Sequence, residues 1–189
     1  AMASHPAWSP DGTLIAYERG SGDGSEIYVV PADGGEPVQL TDNDFGDRAP
    51  VFSPDGTRIA YMSEGRGVWE IAVMSYPQAE ILEVYECPAP ACRFPNWSPD
   101  GISIIFNTLD GTGRVDEIWV LDTESGLSAP LIAEGQSGRP VFAGSGLIVF
   151  YNSTASGNTD LYLYDLTSGE TIRLTTSEAD EYGPDWVAR

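Results

Sequence analysis

A ten-residue phrase recurs along this chain at a nearly constant interval, and few folds accommodate that. Trp8-Ser9-Pro10-Asp11-Gly12-Thr13-Leu14-Ile15-Ala16-Tyr17 returns as Phe52-Ser53-Pro54-Asp55-Gly56-Thr57-Arg58-Ile59-Ala60-Tyr61, with eight of ten positions identical. A third copy runs from Trp97 to Phe106, and a worn fourth from Phe142 to Phe150 is one residue shorter in its turn. Each aromatic opener (Trp8, Phe52, Trp97, Phe142, and finally Trp186) stands two residues after a proline. Those prolines are Pro6, Pro50, Pro95, Pro140 and Pro184, spaced by 44 or 45 residues. Self-similarity at this period marks a propeller or a solenoid.

Each repeat reads as four short strands joined by turns. In Ser-Pro-Asp-Gly, proline presets φ, aspartate bonds its own backbone, and glycine accepts positive φ. The second strand follows, as in Leu14 to Tyr17. The third opens on a carboxylate (Glu26, Glu70, Glu117, Asp160) ahead of a β-favouring run. No stretch carries a helical period with caps, so the chain is expected to be all-β. One four-stranded unit cannot bury both faces alone, and a radial stack of such units is a β-propeller. The expected layout is one domain over 1–189, with four blades near 5–49, 50–94, 95–139 and 140–183. An extra inner strand is expected at 184–187.

These residues also carry a resemblance. Pro-x-Trp-Ser-Pro-Asp-Gly-x-x-Ile-Ala-Tyr, then Glu-Ile-Tyr-Val, then Leu-Thr before the next linker, resembles the TolB-type propeller repeat over about residues 5 to 187. The resemblance implies a non-catalytic module that docks proteins or peptides through the linkers at one end of its channel. It also implies an extracytoplasmic setting in a bacterium. Such propellers usually have six blades, and this chain encodes four with an opener to spare. Trp186 could take the seat of Trp8, and two chains joined into an eight-bladed ring are the expected closure. The family is distantly similar to propellers that precede prolyl-oligopeptidase-type catalytic domains, so an accessory peptidase propeller is the alternative. A propeller fragment defined mainly by its assembly is another.

Charge narrows the partners. The chain has 29 acidic residues against nine basic ones, all arginine, for a net charge of −20. Such a surface repels phosphate backbones, which argues against nucleic acid. No apolar run reaches the ~18 residues of a membrane helix. No secretion signal opens the chain, and Ala1-Met2-Ala3 has the look of a cloning remnant that leaves the native N-terminus unread. Cys87 and Cys92, the only cysteines, either close a small disulfide loop or are held apart by the prolines between them.

Catalytic motifs are scarce. With His5 as the single histidine, neither a Ser-His-Asp triad nor a histidine zinc site has much to build from. Gly135-Gln136-Ser137-Gly138 is not a nucleophile elbow, and the glycines of 20–24 lack the Gly-Lys-Ser/Thr of a phosphate loop. No enzyme activity and no cofactor are expected. Asp42, Asp44 and Asp47 space their oxygens as Ca2+ ligands could, against the plainer reading of a solvated acidic turn. Arg48 and Arg93, each two before a repeat proline, and Arg139, one before, are the binding candidates. Guanidinium groups gathered at one mouth of a propeller would receive a carboxylate. The competing reading pairs each with a local acid such as Asp47.

Overall fold

The computed structural model describes residues 2–133, 136–144, 146–153 and 158–185. It is built of four four-stranded antiparallel sheets, each a propeller blade with its strands in sequence order. The first blade holds β1 (Met2–Trp8), β2 (Leu14–Gly20), β3 (Glu26–Pro31) and β4 (Val38–Gln39); the second holds β5 (Asp47–Phe52), β6 (Arg58–Ser63), β7 (Glu70–Ser75) and β8 (Ile81–Glu86). The third holds β9 (Ala91–Trp97), β10 (Ser103–Leu109), β11 (Val115–Asp122) and β12 (Ser128–Ile132). The fourth holds β13 (Gln136–Phe142), β14 (Leu147–Ser153), β15 (Thr159–Asp165) and β16 (Thr171–Arg173). The chain divides into two compact units, Ala1–Cys87 and Pro88–Arg189, of two blades each. Both cysteines are disulfide-bonded.

The repeated turns hold themselves. In the first blade Ser9 Oγ donates to Asp11 Oδ1 at 2.6 Å, the Thr13 amide donates to the same oxygen at 3.0 Å, and the Leu14 amide donates to Ser9 Oγ at 2.9 Å. Ser53 with Asp55, and Ser98 with Asp100, repeat the pattern. These bonds favour the charged form, and the Ser53 hydroxyl foremost holds the Asp55 carboxyl at about 2. The aspartates are therefore turn formers.

In the first and last blades the third-strand carboxylate anchors the chain of the fourth strand. Thr41 Oγ1 donates to Glu26 Oε2 at 2.6 Å and accepts from the Ile27 amide, while the Asn43 amide donates to Glu26 Oε1 at 3.1 Å. In the last blade Thr175 Oγ1 accepts from the Leu161 amide, and buried Asp160 pairs with Arg173 at 2.6 Å. The Leu-Thr that closes the first and fourth blades (Leu40-Thr41 and Leu174-Thr175) supplies these hydroxyls.

Neighbouring blades bury apolar faces on one another within each unit. In the first unit, Ala16, Ile27 and Val29 pack with Phe52, Ile59, Tyr61 and Met74. In the second, Ile105 and Ile118 pack with Ile148 and Phe150. Fully burying such side chains is worth about 1.5–3 kcal/mol each. Among the openers Phe52 and Trp97 are buried, Phe142 is half-buried, and Trp8 is 62% exposed. Trp186 lies outside the described residues. The seat expected for it beside β2 is held by β1, which pairs Trp8 with Ile15. Pro184 and Asp185, the described part of the expected extra strand, form no strand.

Candidate functional site

Each innermost strand begins earlier than its proline and carries the proline inside it. The register shifts there in all four: between Ser4 and Ala7, Arg48 and Val51, Arg93 and Asn96, and Gly138 and Val141. The residue before each proline has positive φ: His5 +50°, Ala49 +49°, Phe94 +54° and Arg139 +48°. A bulge lets a strand tolerate proline, because the extra residue leaves the ladder and needs no paired N–H. It also re-aims the side chains beside it. The three candidate arginines thus stand on bulged strands, where the sequence placed them in linkers.

The freed amides are caught by the preceding blade. In the first unit the Ala49 amide donates to Glu18 Oε2 at 3.0 Å, and in the second the Arg139 amide donates to Asn107 Oδ1 at 3.3 Å. Glu18 and Asn107 hold the same place, one past the aromatic that ends the repeated phrase. Glu18 also accepts from Ser4 Oγ at 2.8 Å and faces His5 Nδ1 at 3.0 Å. Burial alone would raise the Glu18 carboxyl, but the bonds from His5, Ser4 and the Ala49 amide outweigh it and hold the group at about 2. A depressed folded value means the stabilisation is present above the unfolded value near 4.5 and is lost as pH falls towards 2. Urea midpoints measured at pH 5 and pH 2.5 should therefore fall further for the wild type than for Glu18→Gln; equal falls would contradict this. Ser4, His5 and Glu18 are no catalytic triad, since Ser4 donates to the carboxylate and not to the imidazole. Ser137 is fully buried and accepts from Asn152 Nδ2 at 2.7 Å.

In the second unit the bulges of β9 and β13 gather Arg93 and Arg139 around one tyrosine. Burial pushes the Tyr151 hydroxyl up, and the charges of Arg139 and Arg93 both oppose that rise. Tyr182 stands edge-on to Tyr151 with ring centroids 5.5 Å apart. The Arg139 guanidinium lies 4.5 Å over the Phe94 ring, a cation–π arrangement that holds it there. Gly183 borders it: a Cβ there would stand 2.7 Å from Arg139 Nη1, so the guanidinium would have to shift. Among the described residues, neither Arg93 nor Arg139 forms an ion pair. Arg93 is exposed and Arg139 half-buried, so two guanidinium groups face solvent beside two phenol rings.

In the first unit Arg48 lies 5.0 Å over the Trp69 ring, and its Nη2 donates to the Gly22 carbonyl at 3.3 Å. It does not pair with Asp47. Successive strand side chains point to opposite faces, and Asp47 points inward, fully buried, accepting from Ser63 Oγ at 2.6 Å and Asn43 Nδ2 at 2.8 Å. Of the three calcium candidates, Asp42 and Asp44 are exposed while Asp47 is spent inside the blade. Among the described residues no three His, Cys, Asp or Glu side chains gather to hold a metal. Tyr151, Tyr182, Phe94, Glu18 and Asn107 escaped the sequence reading. The X-Pro step recurring before every opener was the available signal for the bulges that assemble them.

In fold, the chain is a β-propeller of the TolB type with four blades. It superposes on TolB from Acinetobacter baumannii with a TM-score of 0.80 at 24% identity, covering 96% of this chain and 45% of that one. Against a putative TolB from Agrobacterium tumefaciens the TM-score is 0.82 at 21% identity, covering 97% and 65%. In sequence it is 29% identical over 184 residues to YuxL of Bacillus subtilis (strain 168), named an uncharacterized peptidase, covering 96% of this chain and 20% of that protein. No protein-family model matches. The chain spans a fifth of that relative's length and less than two thirds of the two TolB chains. No helix among the described residues is long and apolar enough to cross a membrane.

Proposed function

We propose that this chain is a non-catalytic binding module that receives a carboxylate-bearing peptide, or a protein terminus, at Arg93 and Arg139. The observation that carries the reading is two arginines, set by bulges on the innermost strands of neighbouring blades and without an ion pair among the described residues, in a chain of net charge −20. Acids are abundant, yet among the described residues none is spent on these two. Guanidinium recognises carboxylate through paired hydrogen bonds, and the Phe94 face holds Arg139 in place for it. Tyr151 and Tyr182 add flat apolar surface for a neighbouring side chain. The TolB-type fold and the bonded cysteines support an oxidising, extracytoplasmic setting. The test is a set of short peptides presented with free or amidated C-termini. Free acids should bind and amides should not; equal binding of both, or of neither, contradicts the proposal.

Two further readings each have an observation behind them. The match to a fifth of a protein named as a peptidase favours an accessory propeller in a longer enzyme. A Gly-x-Ser-x-Gly domain encoded downstream would support that, and its absence would oppose it. The 62% exposed Trp8 favours association with a second copy into a larger ring. Light scattering at twice the single-chain mass, reduced by Trp8→Ser, would support it, and a single-chain mass would oppose it.

A further inference from the structure

The two units offer an internal comparison, because the interface between the first two blades and that between the last two are built from equivalent positions. In the first unit the space between the Ser-Pro-Asp-Gly turns is filled. Leu14, Leu40 and Tyr76 pack onto the core there, and the Tyr76 ring meets Phe52 edge-on with centroids 5.4 Å apart. The turns also stand close, since a Cβ at Gly56 would come within 3.7 Å of Pro10.

In the second unit the same space is open. Leu14 is replaced by Ser103 and Tyr76 by Leu166, while the fourth blade's turn is one residue shorter. A Cβ at Gly144 or Gly146 in that turn would meet nothing within 4 Å. What remains is a cleft of about 220 Å³ walled by Ser103, Ile105, Leu131, Phe142, Ile148 and Leu166. It lies at the turn end of β9, away from Arg93 at the strand's beginning. Buried Ser98 also lines it, and Asp100, exposed to solvent, lines its mouth. The Ser98 hydroxyl, foremost, holds the Asp100 carboxyl below the usual carboxylate range, so the mouth is anionic at neutral pH.

We propose that this cleft is a binding site for a single phenol-type ring carried on a neutral or cationic stem. An apolar cavity of roughly 150 Å³ lined by Leu, Ile and Phe stays dry and takes up benzene; this one is larger by about the room a substituent needs. The first unit shows what fits, because its equivalent space is occupied by a tyrosyl ring against the equivalent phenylalanine. The acid at the mouth selects against an anionic stem.

The experiment is a titration of the full chain, methyl-labelled at isoleucine and leucine, with p-cresol, tyramine and 4-hydroxyphenylacetate, followed by NMR. The Ile105, Ile148 and Leu131 methyl signals should shift saturably with p-cresol and tyramine, and at least tenfold more weakly with 4-hydroxyphenylacetate. Leu166→Tyr, which rebuilds the first unit's filling, should reduce p-cresol binding at least tenfold, and Ser103→Leu should do the same if Leu166→Tyr fails to fold. Absence of saturable shifts, equal shifts at Leu14 and Ile59, or undiminished binding in a folded variant overturns the site. Equal binding of 4-hydroxyphenylacetate and tyramine overturns the charge selection.

Discussion

Arg139→Ala should weaken binding of a free-carboxylate peptide about 10- to 100-fold, and Arg93→Ala about tenfold. Hydrogen bonds to charged groups contribute about 1.5–3 kcal/mol, and each ~1.4 kcal/mol is tenfold in affinity. Arg139 takes the larger share because it is half-buried and stacked on Phe94, where salt screens it less than the exposed Arg93. Arg139→Lys should recover only part of the loss, since lysine keeps the charge but not the plane. Gly183→Ala should weaken binding less than Arg139→Ala, because the added methyl, 2.7 Å from Nη1, displaces the guanidinium without removing it. Calorimetry on each variant reads these effects, with urea melts confirming that the fold is unchanged. Unaltered affinity in Arg139→Ala would contradict the assignment.

Asp47→Ala should destabilise the chain by about 3 kcal/mol. The carboxylate is fully buried and accepts from Ser63 and Asn43; its loss strands the buried Ser63 hydroxyl at about 1–3 kcal/mol, releases the exposed Asn43 amide, and leaves a small void. Asp47→Asn should cost only about 1 kcal/mol. Burial pushes the Asp47 carboxyl up, so its charge is disfavoured in the folded chain and its value lies in accepting hydrogen bonds. An amide still supplies one acceptor. Urea midpoints separate the two variants, and equal losses would contradict this account.

The blades were legible in the sequence because their signals are local. Ser-Pro-Asp-Gly closes its own turn through the Ser9–Asp11 type of bond, and the Leu-Thr pairs cap third strands through Thr41 and Thr175. What lay hidden depends on partners distant in the chain. The repeated proline read as a strand start, when the strand runs through it on a bulge whose amide needs Glu18 or Asn107 from the blade before. Asp47 read as a loop ligand beside Asp42 and Asp44, because strand alternation at its position was invisible without the earlier strand start. The arginines were found from their spacing. The aromatic surface around them was not, since Tyr151 sits in β14 and Tyr182 beyond β16.

The most direct measurement of the central claim is NMR of the chain with isotope-labelled tyrosine, titrated with one short peptide as free acid and as amide. The account predicts that the acid shifts the Tyr151 and Tyr182 ring signals saturably, leaves the buried Tyr61 unmoved, and loses its effect in Arg139→Ala, while the amide does nothing. Equal shifts from acid and amide, or shifts at Tyr61 with Tyr151 and Tyr182 unmoved, would contradict it.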